Sequence, residues 1–174
     1  MKRAVFSILL QLATITCFSQ SLSYSQVLNL YNLWETVRGS EYKPITSKLS
    51  SIHTNWKIQS TEPIIEDQTK YFLWTAQVPS REVEHVVCYV EEDETTIQYA
   101  FRYIFFSKRR FDDFEKMMKA SEERVTRSTN NVTRVTNYFS PGKSRTILLS
   151  ESQEDGQFVY TLDVSSKYLP KTKK

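Results

Sequence analysis

The chain has 174 residues, with 23 lysines and arginines against 20 aspartates and glutamates, which gives a formal net charge of +3. Its three glycines are too few and too far apart for the glycine-rich loops that cradle phosphates, and no G-x-S-x-G hydrolase elbow occurs. With two histidines, His53 and His85, a three-histidine zinc site is also excluded.

The first residues have the pattern of a secretory leader. Two basic residues precede a mainly apolar run, and Cys17 and Ser19 provide a small-x-small cleavage site. The run is shorter than the roughly 20 residues that a membrane-spanning helix needs. We therefore predict that residues 1–19 are a signal peptide. A lipid anchor on Cys17 is the alternative, although Thr14-Ile15-Thr16 before it is a poor lipobox.

Removing this leader changes the charge balance. It takes away two basic residues and no acidic one, so the remaining 155 residues carry 21 basic and 20 acidic side chains. Such a balance lacks the clustered positive charge of a nucleic-acid surface, so we predict no nucleic-acid partner. The length suits one domain, which we place at residues 20–166, followed by a basic, disordered tail at 167–174.

Two short helices are predicted first in chain order. Ser23 or Ser25 can cap a helix that runs to about Arg38, and Gly39 can supply the left-handed residue that ends it. Residues 40–49 can form a second helix with Pro44 in its first turn.

Strands follow at residues 53–60, 70–78 and 84–90. Cys88 lies in the third, where a small core side chain is the favoured interpretation. His85 is three residues away and so on the opposite face, which argues against a cysteine–histidine catalytic pair. The four acidic residues 91–94 lack the alternating ligands and the turn glycine of a calcium loop, so we interpret them as a solvated hairpin end.

The central stretch, 95–127, is a strand that leads into a helix. In the strand the large apolar and aromatic residues occupy alternate positions, a period of two that indicates burial of one face. These residues are Ile97, Tyr99, Phe101, Tyr103 and Phe105. In the helix the apolar residues recur at helical spacing. They are Phe111, Phe114, Met118 and Val125.

Three closing strands are predicted at 132–139, 144–150 and 157–164, with hairpin signals at 140–143 and 154–156. The predicted fold class is therefore α+β. We expect a predominantly antiparallel sheet of six or seven strands, with an N-terminal helix or helix pair and one central helix packed on it. No transmembrane helix is predicted.

Three consecutive cations, Lys108, Arg109 and Arg110, are the candidate binding residues. In the first turn of a helix each opposes the dipole by about 0.3–1 kcal/mol. The alternative is that Asp112 caps the helix with Glu115 in a capping box, which leaves the triplet in the preceding loop. The triplet suits an acidic envelope protein or an anionic glycan, whereas a solvated loop is the plainer interpretation.

The sequence contains no recognisable catalytic constellation, so we predict no catalytic residues, no metal ligands and no cofactor. Aromatic residues number 21 after the leader, and most of them are expected in the core. The favoured function is a non-catalytic binding or interaction module. Alternatives are an envelope hydrolase with converging carboxylates and a structural or secretion-associated component.

The leader and the element order resemble those of other proteins. Cys17-Phe18-Ser19-Gln20 with the following Ser21-Leu22-Ser23 is similar to the leaders of small exported proteins of Bacteroidota-type bacteria. The short opening helix, Trp56 at the start of the sheet, the aromatic strand before a helix and the closing hairpins are similar to uncharacterised proteins of that group. The resemblance implies a periplasmic, outer-membrane-associated or secreted location and transfers no functional residues.

Overall fold

The computed structural model describes residues 21–66, 69–77, 83–121, 123–129, 133–139 and 145–171. The predicted signal peptide and the predicted hairpin at 140–143 lie outside these residues. The helices are α1 (Tyr24–Thr36), α2 (Lys43–Ile52) and α3 (Lys108–Ser121). The strands are β1 (Lys57–Ile58), β2 (Ile64–Glu66), β3 (Thr69–Gln77), β4 (Val83–Glu92), β5 (Thr96–Phe105), β6 (Glu123–Thr129), β7 (Thr133–Phe139), β8 (Arg145–Glu154), β9 (Gln157–Ser166) and β10 (Leu169–Pro170).

In the part of the chain that the structure describes, the ten strands form one antiparallel sheet in the order β1-β3-β4-β5-β9-β8-β7-β6. The short strands β2 and β10 pair with β3 and β5. The predicted α+β class is confirmed. Seven of the ten described strands, β3 to β9, have seven or more residues, and the other three have two or three residues. The strand predicted at 53–60 is reduced to the two residues of β1.

The two N-terminal helices are confirmed. The Ser23 hydroxyl accepts a hydrogen bond from the Gln26 backbone N–H, and the Gln26 side chain accepts one from the Ser23 N–H, which completes a capping box. Gly39 follows α1 with a φ of +62°, the left-handed conformation that glycine adopts without strain. Pro44 lies in the first turn of α2, where its missing N–H costs nothing.

All three helices pack on the same face of the sheet. In β5 the alternation places Tyr99, Phe101, Tyr103 and Phe105 in the core, as predicted. Helix α3 contributes Phe111 to this core, 5.1 Å from the Tyr160 ring of β9 between ring centroids. Cys88 is a fully buried core residue, as predicted, and burial raises the pKa of its thiol well above the ordinary value.

Helix α3 begins at the basic triplet, which is one of the two predicted starts, and it ends earlier than predicted. It begins at Lys108, because the Ser107 carbonyl accepts from the Phe111 N–H and the Ser107 hydroxyl accepts from the Arg110 N–H at 3.4 Å. Asp112 is therefore not the N-cap. The helix ends at Ser121, so the prediction that Val125 belongs to its apolar face is wrong. Val125 lies in β6 at a shift of the register with β7, and β-branched residues favour strands over helices.

The C-terminal tail is ordered further than we predicted. Leu169 and Pro170 pair with Ile97 and Thr96 of β5, and the Lys171 N–H donates to the Thr95 carbonyl at 2.9 Å. The Lys171 ammonium also lies 2.8 Å from the Glu92 carboxylate. Residues 169–171 are thus held by backbone pairing that the polar residues around them did not indicate, while 172–174 lie outside the described residues.

The acidic run at 91–94 is a hairpin end between β4 and β5, as predicted. Asp93 is its organising residue. Its carboxylate accepts from the Thr96 hydroxyl at 2.7 Å and from the backbone N–H groups of Thr95 and Thr96 at 2.7 and 2.6 Å. These bonds stabilise the charged form and lower the pKa of Asp93 from 3.8 to about 2.

We expect the Asp93 carboxyl carbon to titrate near pH 2 in a ¹³C NMR series. Since the folded pKa lies below the unfolded one, the stabilisation from Asp93 is present above about pH 4 and is lost as the pH falls towards 2. Thr96→Val removes the hydroxyl donor and should move the midpoint back towards 3.8. A wild-type midpoint near 3.8 would contradict this description of the turn.

No described helix is long and apolar enough to cross a membrane.

Candidate functional site

The sheet face opposite the helices is open in the part of the chain that the structure describes. Its side chains are set by the register of β3, β4, β5, β9, β8 and β7. One cross-strand row runs Thr75, His85, Ile104, Thr161, Ser150, Val135. The next row runs Leu73, Val87, Arg102, Asp163, Leu148. The two rows bring polar and apolar side chains from six strands onto one surface.

A groove of about 610 Å³ lies along this face. We call it the sheet groove. Its apolar lining comes from Ile104, Phe106, Val135, Leu148 and Val159, all half-buried. Its polar lining comes from His85, Arg102, Ser150, Ser152, Gln157, Thr161 and Asp163, with Glu154 and Asp155 at the hairpin end. This volume lies within the range of about 300–1,000 Å³ that is typical of small-molecule sites.

An ion pair occupies the floor of the sheet groove. The Nε atom of Arg102 donates to Oδ1 of Asp163 at 2.6 Å. The Arg102 side chain is 45% exposed, whereas that of Asp163 is only 12% exposed. Burial raises the pKa of the Asp163 carboxyl, and the neighbouring guanidinium opposes that rise. Asp163 is therefore a buried counter-ion, and Arg102 is the member of the pair that a ligand can contact.

A smaller pocket of about 260 Å³ lies on the β3 and β4 side of Arg102. Its lining includes Tyr71, Val87, Tyr89 and Glu91, together with Arg102. The Arg102 guanidinium lies over the Tyr89 ring, 5.7 Å from its centroid. Arg102 is thus common to both cavities and lies where they meet.

The hydroxyl groups and the histidine of the sheet groove do not form a nucleophile–base pair. The Ser150 hydroxyl donates to the Thr161 hydroxyl at 2.9 Å, but His85 is separated from Thr161 by one strand and from Ser150 by two. At about 4.8 Å per strand, neither hydroxyl is within hydrogen-bonding reach of the imidazole as a general base. Burial also lowers the pKa of His85, which favours its neutral form.

Asp163 does not form a carboxylate pair with the acidic residues at the hairpin end of the sheet groove. Glu154 pairs with Gln157, and Asp163 lies six residues further along β9. At about 3.4 Å per residue the two carboxylates are some 20 Å apart, well beyond the roughly 5–10 Å of a glycosidase pair. Within the described ranges, no group of three or more histidine, cysteine, aspartate and glutamate side chains is placed to hold a metal ion.

The basic triplet lies elsewhere, at the start of α3. The Lys108 ammonium contacts the Asp112 carboxylate and lies 5.1 Å from the Phe111 ring centroid. The Arg110 guanidinium turns inward and donates to the Leu22 carbonyl at 2.5 Å, and Arg109 is exposed. Lys108 and Arg110 are therefore engaged by neighbouring groups of the protein, and the role of the triplet in binding an acidic partner stays a prediction.

Arg102 and Asp163 are not recognisable as a pair in the sequence. The available signal was a charged residue inside an otherwise aromatic strand, which needs a partner if it is to lie on a half-buried surface. That partner is 61 residues away in the chain, and only the pairing of β5 with β9 brings the two together.

Comparisons with known proteins identify no relative. No protein-family model, no curated protein and no solved structure matches this chain.

Proposed function

We propose that this protein is a non-catalytic binding module that holds a small organic molecule in the sheet groove. The observation that carries the proposal is the groove of about 610 Å³, which combines an apolar lining with a few fixed polar groups. That combination is typical of sites that bury the body of a ligand and orient it through a small number of hydrogen bonds.

The apolar lining indicates a ligand with an apolar body. Ile104, Leu148 and Val159 contribute aliphatic surface to the same cavity from three adjacent strands. Covering such surface contributes about 25 cal/mol per Å² to the free energy of binding, before the cost of association is subtracted. A half-buried aliphatic surface inside a cavity is more readily covered by a small molecule than by a flat protein partner.

The leader pattern and the resemblance described above support an exported location, in the periplasm, at the outer membrane or outside the cell. In that setting a protein that sequesters or carries a small apolar molecule needs no catalytic group. The envelope hydrolase and the structural component stay alternatives. The distance between Glu154 and Asp163 is too long for a catalytic carboxylate pair, which does not favour a hydrolase at this site.

Binding of the fluorescent probe N-phenyl-1-naphthylamine tests the proposal. We expect saturable enhancement of its fluorescence by the wild-type protein, together with a higher Tm in its presence, because a ligand that binds only the folded state stabilises it. Leu148→Trp fills the middle of the sheet groove and should weaken the probe's Kd by at least about tenfold, or about 1.4 kcal/mol.

The matched control is Ile65→Trp. Ile65 is also an aliphatic strand residue, but it is 71% exposed in β2 and does not line the sheet groove. Its substitution should leave the probe's Kd unchanged. The proposal fails if the wild-type protein does not bind the probe, or if a folded Leu148→Trp protein binds it as the wild type does.

A further inference from the structure

We infer that the ligand carries an uncharged carbonyl group, an internal amide or ester, which accepts hydrogen bonds from the terminal N–H groups of Arg102 while apolar parts extend to either side. This inference rests on the proposed function and adds to it the class of ligand and the residue that selects it.

The first support is the hydrogen-bonding state of Arg102. A guanidinium has five N–H donors in a planar fork. The Nε–H is used by Asp163, and neither terminal nitrogen of Arg102 has a hydrogen-bond partner among the described residues. The side chain is still 45% exposed, so these donors remain accessible from the sheet groove. A ligand acceptor at this point would gain hydrogen bonds without breaking the ion pair.

The second support is the charge of the surroundings. Asp163 is the carboxylate that already neutralises Arg102. Glu91 adds another in the smaller pocket. An anionic ligand would meet more carboxylates than guanidinium groups, so its charge gains no net attraction. A cationic group, in turn, cannot accept from the N–H donors. An uncharged hydrogen-bond acceptor is not repelled by these carboxylates, and it can still accept from the N–H donors of Arg102.

The third support is the position of Arg102 between two apolar surfaces. Leu148 and Ile104 lie on the side of the sheet groove, and Val87 and Tyr89 on the side of the smaller pocket. A polar group at the end of a chain would leave one of these surfaces uncovered. An acceptor with apolar groups on both sides covers both, which is the reason for an internal amide or ester.

Three probes with twelve carbons test the inference by displacement of N-phenyl-1-naphthylamine. They are N-hexylhexanamide, dodecanoate and dodecylammonium, which are neutral with an internal carbonyl, anionic and cationic. We expect the amide to bind the wild-type protein at least tenfold more tightly than either charged probe. Tighter binding of dodecanoate or dodecylammonium would overturn the inference and leave the proposed function standing. A protein that binds neither the fluorescent probe nor any of the three would overturn both.

Arg102→Lys tests the residue. Lysine keeps the positive charge beside Asp163 but has no planar fork of terminal N–H donors. The ratio of the amide's affinity to that of the fluorescent probe should fall at least fivefold, and an unchanged ratio would show that Arg102 does not select the carbonyl. If the Arg102→Lys protein does not fold, the double variant Arg102→Leu with Asp163→Leu replaces the ion pair by apolar groups. The ratio of the two affinities is then measured on that variant, and the same fall is expected.

Discussion

Tyr103→Ala is expected to lower the free energy of unfolding by about 3–5 kcal/mol, the range observed when a large aromatic side chain is truncated in a core. Tyr103 is fully buried at the centre of the interface between sheet and helices. Its ring centroid lies 5.0 Å from that of Phe105 and 6.3 Å from that of Phe114 in α3. Removing the ring leaves a cavity bounded by both layers. Urea unfolding followed by tryptophan fluorescence measures the loss.

Tyr103→Phe is the matched control, because it keeps the ring and removes the hydroxyl. That hydroxyl donates to Oε2 of Glu84 at 2.5 Å and accepts from the Leu22 N–H at 3.2 Å. Loss of these bonds inside the core should cost about 1–3 kcal/mol. Equal losses for the two variants would show that the hydroxyl, not the ring, determines the stability of this region. A loss below about 1 kcal/mol for Tyr103→Ala would contradict its central position in the core.

Gly39→Ala is expected to lower the free energy of unfolding by about 2–5 kcal/mol, because backbone strain and overpacking add together. The φ of +62° costs an L-residue about 1–2 kcal/mol. In addition, a Cβ at this position would lie 2.2 Å from Cγ2 of Val90 and 3.2 Å from the Trp34 ring. Both are buried core residues, and such overpacking costs about 1–3 kcal/mol more. Thermal or urea unfolding gives the value.

Gly156→Ala separates the two contributions. Gly156 has a φ of +80°, but a Cβ placed on it would have no heavy atom within 4 Å, since this residue lies in the exposed turn between β8 and β9. Only the cost of the left-handed conformation applies there, about 1–2 kcal/mol. If Gly39→Ala and Gly156→Ala lower the free energy of unfolding by the same amount, the close approach of Gly39 to Val90 is not as described.

Much of the fold follows from local patterns. The period of two in β5 predicted which side chains enter the core, because a half-buried strand must present one apolar face. The turn between β8 and β9 was predicted from Asp155-Gly156, and both residues adopt the positive φ angles that a tight hairpin of this kind requires. Helix α1 was predicted from a cap at Ser23 or Ser25 and from the terminating Gly39, and Ser23 is the cap.

Other elements depended on partners that a local pattern does not contain. β6 was assigned to α3 because Val125 continues the helical spacing, but its pairing with β7 determines its conformation. Leu169 and Pro170 were assigned to the tail because their neighbours are polar, yet they pair with the start of β5 beside the hairpin end.

The candidate site could not be predicted for the same reason. Each strand that lines the sheet groove is recognisable, but the order in which the strands pair decides which side chains meet. Arg102 and Asp163 become neighbours only because β9 returns beside β5 after α3 and the strands that follow it. The basic triplet was conspicuous in the sequence, whereas in the structure Lys108 and Arg110 are engaged by neighbouring groups of the protein.

Amide NMR spectra recorded during titration with N-phenyl-1-naphthylamine show whether the open sheet face binds a small molecule. We expect the largest chemical-shift changes at Arg102, Leu148 and Thr161, which lie on β5, β8 and β9 around the sheet groove. Changes centred instead on the outer surfaces of α1, α2 and α3, or no saturable change at all, would contradict the account.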